Sequence, residues 1–336
     1  STTVVDARFA KPIDELLITQ LARDHEVLVT VEEGSIGGFS AQVMSFLTKT
    51  AALDRELKFR PLFFPNRFIN VGVAESSMIS MCAGLAMRGL IPFAYTIASF
   101  SIFRPFEMVR IDVGYQNLPV VIVGMGAGTV YSTLGGTHIT QEDVSVIRCL
   151  PNFQILNPCD PMELESCLKY LCSKNKSPCY LRIGKAGEKN FTENSYEKWE
   201  FNKPRIIIKG KDDMCLIATG PIIKFFFEIL DKLKKNKIYP TIISYHTLKP
   251  DNNAQIKKIF KKFSNIVTLE DISEINGLSS ILKIKAQELK YKGNFISFAL
   301  KDKNLKNYGS QNDLLKDHGI EPQKIFNSIK KLYEKN

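Results

Sequence analysis

At 336 residues, with 44% apolar and 24% charged side chains, the chain is long enough for two or three domains with their own cores and has the composition of a soluble globular protein. The net charge of +10 raises a nucleic-acid role, but the 25 lysines and one arginine (Arg205) beyond residue 202 are spread along the sequence rather than set beside stacking aromatics. That pattern reads as solvated surface, and no nucleic-acid partner is expected.

No apolar run reaches bilayer-spanning length and no signal peptide opens the sequence, so no membrane role is expected. Seven cysteines (82, 149, 159, 167, 172, 179, 215) are scattered, odd in number and without a C-x-x-C pair. This suits a reduced, cytoplasmic setting and argues against a disulfide framework or a metal site.

Taken in chain order, the first elements are a helix at 14–24 and an apolar strand at 27–31, followed by Glu32-Glu33, the glycines 37–38 and a second helix. This stretch repeats later. Thr3-Val-Val-Asp-Ala-Arg-Phe-Ala-Lys11-Pro12 parallels Thr241-Ile-Ile-Ser-Tyr-His-Thr-Leu-Lys249-Pro250 at an offset of 238, and the same offset carries Val29-Thr-Val-Glu-Glu33 onto Val267-Thr-Leu-Glu-Asp271. Each copy reads strand, Lys-Pro turn, helix, strand, acidic pair, glycine turn, helix. Proline ends the strand because it lacks a ladder donor and disfavours helix before it.

Next comes Arg67-Phe-Ile-Asn-Val-Gly-Val-Ala-Glu75-Ser-Ser-Met78. It sets one acid, Glu75, at the head of a helix over 76–87, whose Met78, Met81, Cys82 and Leu85 fall on one face. An acid at a helix start among apolar neighbours is a candidate for a displaced pKa and for proton transfer. Strands follow at 90–96, 120–123, 153–156 and 178–181, with helices at 104–115, 141–149 and 161–172 between them. This alternation predicts a doubly wound parallel sheet with its ligands at the strand carboxyl ends. Gly124-Met-Gly-Ala-Gly128 is half a dinucleotide fingerprint, with no helix directly after it, and reads as a loop lining a pocket. His138 lies in a glycine-flanked polar loop ahead of a helix. Arg104, Glu107 and Arg110 suit ion pairs along one helix. A polar stretch at 185–203 reads as a linker, and strands at 214–220, 240–244 and 265–269 with a helix at 222–235 make a smaller α/β domain. His246 reads as structural.

From Arg67 onward the chain resembles the pyrimidine-binding and C-terminal domains of transketolase-type thiamine diphosphate enzymes. The resemblance rests on the Glu75 segment, Ala98-Ser-Phe100-Ser-Ile-Phe103-Arg104-Pro-Phe106-Glu107, Gly135-Gly-Thr-His138, Glu142-Asp143, Tyr180-Leu-Arg182 and His246-Thr-Leu-Lys249-Pro250. It implies an α/β fold: a doubly wound parallel-sheet pyrimidine-binding domain at 68–195, then a smaller α/β transketolase C-terminal domain at 196–336. Residues 1–67 resemble the tail of 1-deoxy-D-xylulose-5-phosphate synthase, which makes them a partial C-terminal-type domain. By this resemblance Glu75 hydrogen-bonds a ring nitrogen of the cofactor's aminopyrimidine and passes it a proton. Phe100 is the first candidate to stack on that ring. Phe103 and Phe106 are further candidates whose spacing also suits a core. His138 contacts the substrate and shuttles a proton, and Arg182 contacts the substrate's phosphate, with a structural ion pair as the alternative.

The family's pyrimidine domain opens with a helix and strand that are missing here in their usual form. The pair at 14–24 and 27–31 is expected to fill that edge of the sheet carrying residues 120–123. No Gly-Asp-Gly, the family's motif for holding the metal, occurs in the 336 residues. The resemblance therefore implies that Mg²⁺ and the diphosphate are held by a partner, a diphosphate-binding N-terminal transketolase subunit. The chain would then be the C-terminal subunit of a split enzyme, as a homodimer or in a heterotetramer, moving a two-carbon ketol unit between phosphosugars. Three alternatives stand beside it: deoxyxylulose-phosphate synthase chemistry, with a place in isoprenoid biosynthesis; a 2-oxoacid dehydrogenase β subunit, which the Gly-Thr-His loop disfavours; and a non-catalytic fusion fragment.

Overall fold

A computed structural model describes residues 2–7, 12–32, 38–54, 57–62, 68–185, 187–304 and 309–334. Lys11, Glu33, Gly37 and Arg67 of the sequence patterns lie outside them. The chain divides into two units, residues 1–74 and 75–336.

The first unit holds helix α1 (Glu15–Asp24), strand β1 (Val27–Val31), helix α2 (Phe39–Lys49) and strand β2 (Lys58–Leu62). Asp14 starts α1 by accepting from the Leu17 amide at 3.0 Å. The Glu32 carboxylate starts α2 by accepting from the amides of Phe39 (2.6 Å) and Ser40 (2.8 Å). β1 and β2 run parallel as a two-stranded sheet over a small core of Ile18, Ala22, Val43, Leu47 and Phe59. The expected edge position of 27–31 does not hold: among the described residues β1 pairs with β2 in a two-stranded sheet and with no strand of the sheet carrying Val121. The register Val27↔Lys58 to Val31↔Leu62 uses a nearer parallel partner, joined through α2 as a β-α-β unit.

The second unit opens with α3 (Glu75–Met87), β3 (Phe93–Ile97), α4 (Ala98–Ile102) and a single turn, α5 (Phe106–Met108). The helix expected over 104–115 is interrupted. Pro105 stands at the start of α5, and residues Val109–Tyr115 wind as a π-helix, a rare form that clusters at functional sites. Then come β4 (Val121–Met125), α6 (Asp143–Arg148), β5 (Gln154–Leu156), α7 (Pro161–Ser173), β6 (Cys179–Ile183) and β7 (Arg205–Ile208). The remainder is β8 (Met214–Ala218), α8 (Lys224–Lys235), β9 (Thr241–Ser244), β10 (Thr247–Lys249), α9 (Asn253–Lys262), β11 (Asn265–Ser273), α10 (Leu278–Glu288), β12 (Asn294–Leu300), α11 (Gln311–Asp317) and α12 (Pro322–Tyr333). Among the described residues no helix is long and apolar enough to cross a membrane.

Two five-stranded sheets organise this unit, in the orders β10-β5-β6-β4-β3 and β12-β11-β8-β9-β7. β3, β4, β6 and β5 are mutually parallel, as alternating strands and helices require. β10 then adds antiparallel to β5, so the later domain lends a strand to the earlier one's sheet. That seam is fastened by side chains. Arg148, in the last turn of α6, donates to the Leu248 carbonyl and pairs with Asp251 at 3.1 Å. Lys249 donates to the carbonyls of Arg148 and Leu150, where a cation suits the end of a helix. One core runs under both sheets: Ile79, Ile122 and Ile147 pack in the same cluster as Ile217, Ile243 and Ile256, each contributing about 2 kcal/mol by burial.

The stretch at 185–203 is more than a tether. The amides of Phe191 and Thr192 each donate to Asp160 Oδ2 at 2.7 Å, the same residue whose Oδ1 caps α7. The Tyr196 amide donates to the Ile207 carbonyl at 2.9 Å.

Candidate active site

The carboxyl ends of β3, β4 and β6 converge, and there the chain collects its chemistry. β3 runs directly into α4, which carries Phe100. β4 runs into the loop holding Tyr131 and His138, and Lys185 follows β6. Glu75 is the first residue of α3, with its side chain 11% exposed and its Oε1 accepting from Arg104 Nη1 at 2.9 Å. Among the described residues its Oε2 has no partner, which leaves an acceptor oxygen at a helix start. The Arg104 guanidinium lies 4.0 Å from the centre of the Phe100 ring, a cation–π contact. Phe100 meets His138 edge to face, with centroids 5.1 Å apart. Tyr131 meets the histidine at 6.2 Å, while Thr137 Oγ1 sits 2.8 Å from His138 Nδ1. Glu75, Arg104, Phe100, His138 and Tyr131 thus form one contiguous line.

Local backbone explains why the loop can do this. Gly126 has φ +65°, and a Cβ there would stand 2.0 Å from the Tyr131 ring. Gly128 has φ +72°, and its Cβ would stand 2.1 Å from Asp271 Oδ2. These two glycines serve close approach. Burial pushes the Tyr131 phenol above its ordinary pKa.

The other candidates fall elsewhere. Phe106 is half-buried against the core shared by the two sheets. Phe103 is 40% exposed, so its expected core role does not hold: the chain turns at Pro105 before a continuous helix could direct residue 103 inward. Arg104 does not join Glu107 or Arg110 in the described ion pairs but reaches Glu75. It is the site residue that sequence reasoning missed, although its i,i+4 spacing from Phe100 was the available signal.

Arg182 also departs from the phosphate-contact reading. It is 1% exposed, with Nε donating to Asp143 Oδ2 at 2.9 Å, Nη1 to Asp271 Oδ1 at 2.9 Å and Nη2 to the Asp271 carbonyl at 3.2 Å. Burial opposes its charge, but the two carboxylates outweigh that and raise its pKa. Tyr180 donates to the same Asp143 oxygen at 2.7 Å. The structure realises the ion-pair alternative: Asp143 begins α6, just after the His138 loop, and Asp271 comes from β11 of the other sheet. His246 is fully buried and stacks on Trp199 at 5.1 Å; burial lowers its pKa.

Two family models match the chain: "Transketolase, pyrimidine binding domain" over residues 7–187 and "Transketolase, C-terminal domain" over 205–325. A putative transketolase C-terminal section from Methanocaldococcus jannaschii is 31% identical over 95% of this chain and 94% of its own length. One subunit of an apulose-4-phosphate transketolase from Phocaeicola vulgatus is 29% identical over 65% of this chain and 69% of its own. A 1-deoxy-D-xylulose-5-phosphate synthase from Clostridium botulinum is 32% identical over 82% of this chain, which spans only 44% of that relative. Among solved structures, a split-gene transketolase described as an inactive β4 tetramer superposes with a TM-score of 0.68 at 22% identity, covering 95% of this chain and 96% of that one. The chain belongs to the transketolase family and has its pyrimidine-binding and C-terminal domains, and thiamine diphosphate is the cofactor that this family implies. The pyrimidine-domain match begins at residue 7 and so takes in most of the first unit.

Proposed function

We propose that the chain is the C-terminal subunit of a split transketolase-like enzyme that transfers a two-carbon ketol unit between phosphosugars. The observation that carries this reading is the line from Glu75 through Phe100 to His138 at the strand carboxyl ends. Relatives that match over most of their length are named as a transketolase C-terminal section and a transketolase subunit, which supports the split arrangement.

The residues fit the pyrimidine half of thiamine diphosphate: an acceptor oxygen on Glu75 for a ring nitrogen, and an aromatic face on Phe100 for the ring. When bound, that cofactor supplies the electron sink that lets the two-carbon unit change hosts. Glu75 holds or passes a proton at the ring nitrogen from its Oε2. Arg104 covers one face of Phe100, and a ring stacking on that face would have to displace it. His138 handles a proton at a substrate hydroxyl, with Thr137 orienting its ring through Nδ1. Phe103 and Phe106 take a lesser part in ring contact. Among the described residues no three His, Cys, Asp or Glu side chains gather to hold a metal. Diphosphate and Mg²⁺ are assigned to an N-terminal-type partner subunit, joined in a heterotetramer.

The test is reconstitution with a diphosphate-binding transketolase subunit. Ketol transfer is expected in the mixture, with Glu75→Gln lowering kcat by about 100-fold or more and weakening thiamine diphosphate binding by calorimetry. Transfer that survives Glu75→Gln at full rate overturns the reading. The synthase relatives favour a second reading, and formation of 1-deoxy-D-xylulose 5-phosphate in place of ketol transfer would select it.

A further inference from the structure

The loop that carries Tyr131 and His138 is closed at its base. The Gly128 amide donates to Thr140 Oγ1 at 3.0 Å, and the Thr140 amide donates back to the Gly128 carbonyl at 3.1 Å. Residues 129–139 therefore form a compact loop with joined ends, whose placement depends on what grips its base and flanks. Its own sheet grips the entry: the amides of Gly126 and Ala127 donate to the carbonyls of Gly184 and Ile183 at 3.0 and 3.1 Å. The C-terminal domain adds holds at both ends. At the start, Gln311, the first residue of α11, donates from Nε2 to Oγ1 of the buried Thr129 at 3.2 Å. At the base, the Asp271 carboxylate lies closer to Gly128 than a Cβ would allow. At the exit, the Ser273 amide donates to the Gln141 carbonyl at 2.8 Å, and Gln141 Nε2 donates to the Lys303 carbonyl at 3.4 Å.

Gln311 is itself fixed. Its Oε1 accepts from Lys224 Nζ at 3.1 Å, so the two ends of its amide serve different partners, and a flipped amide would set a donor against a cation. Ser310 and Asp313 cap α11 by a reciprocal pair of hydrogen bonds, and Leu314 and Leu315 are fully buried. α11 also packs against the turn at Ser132–Leu134. A capped, anchored helix thus delivers one amide to the first residue of the loop.

We propose that Gln311 is a positioning residue: it pins Thr129 and thereby keeps Tyr131 and His138 beside the Phe100 ring. A side chain on a loop reaches catalytic precision only when its backbone is supported, and a misplacement of about 1 Å costs on the order of 100-fold in rate. Through this contact the C-terminal domain serves the chemistry without touching substrate. The effect on rate rests on the ketol-transfer reading, whereas the placement of the loop does not.

Two variants of the full chain test this. Gln311→Met keeps the length of the side chain and removes both polar contacts. Gln311→Glu keeps an acceptor for Lys224, and the Thr129 hydroxyl can turn to donate to the carboxylate. Gln311→Met should speed amide hydrogen exchange at residues 129–140 by about fivefold or more, and should shift the His138 ring resonances, assigned by their loss in His138→Gln. Gln311→Glu should stay close to the parent in both. In the reconstituted enzyme Gln311→Met should lower kcat by about tenfold with KM nearly unchanged, and Gln311→Glu should recover most of that loss. Unchanged exchange and resonances in Gln311→Met overturn the proposal. So do equal losses in the two variants, or faster exchange spread over the whole second unit, either of which would mark Gln311 as ordinary packing. Absence of ketol transfer with the parent chain counts against the functional reading alone, and exchange together with the His138 signal still decides whether Gln311 places the loop.

Discussion

Arg182→Met tests whether the two sheets of the second unit are held together through one guanidinium. The wild-type side chain makes three charge-assisted hydrogen bonds, two to carboxylates that are themselves 0% and 5% exposed. The Cβ position of Gly128 lies 2.1 Å from Asp271 Oδ2, so the backbone at Gly128 closes on one side of that carboxylate. Methionine fills most of the volume but leaves Asp143 and Asp271 buried without a cation. Breaking such a pair costs about 3–5 kcal/mol. At roughly 2–4 °C per kcal/mol for a unit of this size, Tm should fall by about 10 °C in calorimetry. Adding Asp271→Asn should restore part of the loss, because one orphaned charge is then removed. A fall of less than about 2 °C would refute the argument. So would Arg182→Lys with unchanged Tm and a tenfold rise in sugar-phosphate KM in the reconstituted enzyme, since the arginine would then be serving substrate.

Burial raises the Glu270 pKa from 4.5 to about 7, against the pull of the Ser279 and Leu278 hydrogen bonds. The folded state holds this proton more tightly than the unfolded one, so the contribution to stability is full below about pH 4.5 and is lost as pH rises through about 7. Its size is on the order of 3 kcal/mol, and urea midpoints at about pH 5 and pH 8 should converge in Glu270→Gln relative to the parent. An unchanged pH slope would count against the carboxyl. Gly126→Ala should cost about 1–2 kcal/mol and displace the Tyr131 ring from His138, lowering reconstituted activity, while Gly136→Ala, with open space around it, should do neither. Equal effects of the two substitutions would show that the close approach at Gly126 is immaterial.

The helix and strand periods located most of the second unit, because buried parallel strands such as 121–125 are uninterrupted apolar runs. The π-helix at 109–115 left no mark beyond ordinary helical spacing, since it differs in hydrogen bonding rather than in which residues turn inward. The repeat was visible through its Lys-Pro turns and acidic pairs, but which strand β1 would join was not, since a parallel partner can lie anywhere along the chain. Within the site, Glu75, Phe100 and His138 stood out by local context. Arg182 could be read either way from its neighbours, and only the arrival of Asp271 from 89 residues downstream decides it. Arg104 was assigned to its own helix because sequence spacing cannot show a contact 29 residues back.

Because β10 completes the first sheet from within the later domain, the gap between the two family matches at 188–204 is a poor place to cut. Expressed alone, residues 75–187 would present the bare flank of β5 and an uncapped end of α6, inviting aggregation. Proteolytic nicking in that stretch should leave two fragments that migrate together until denatured, and evolution could trade this half of the enzyme only as a block.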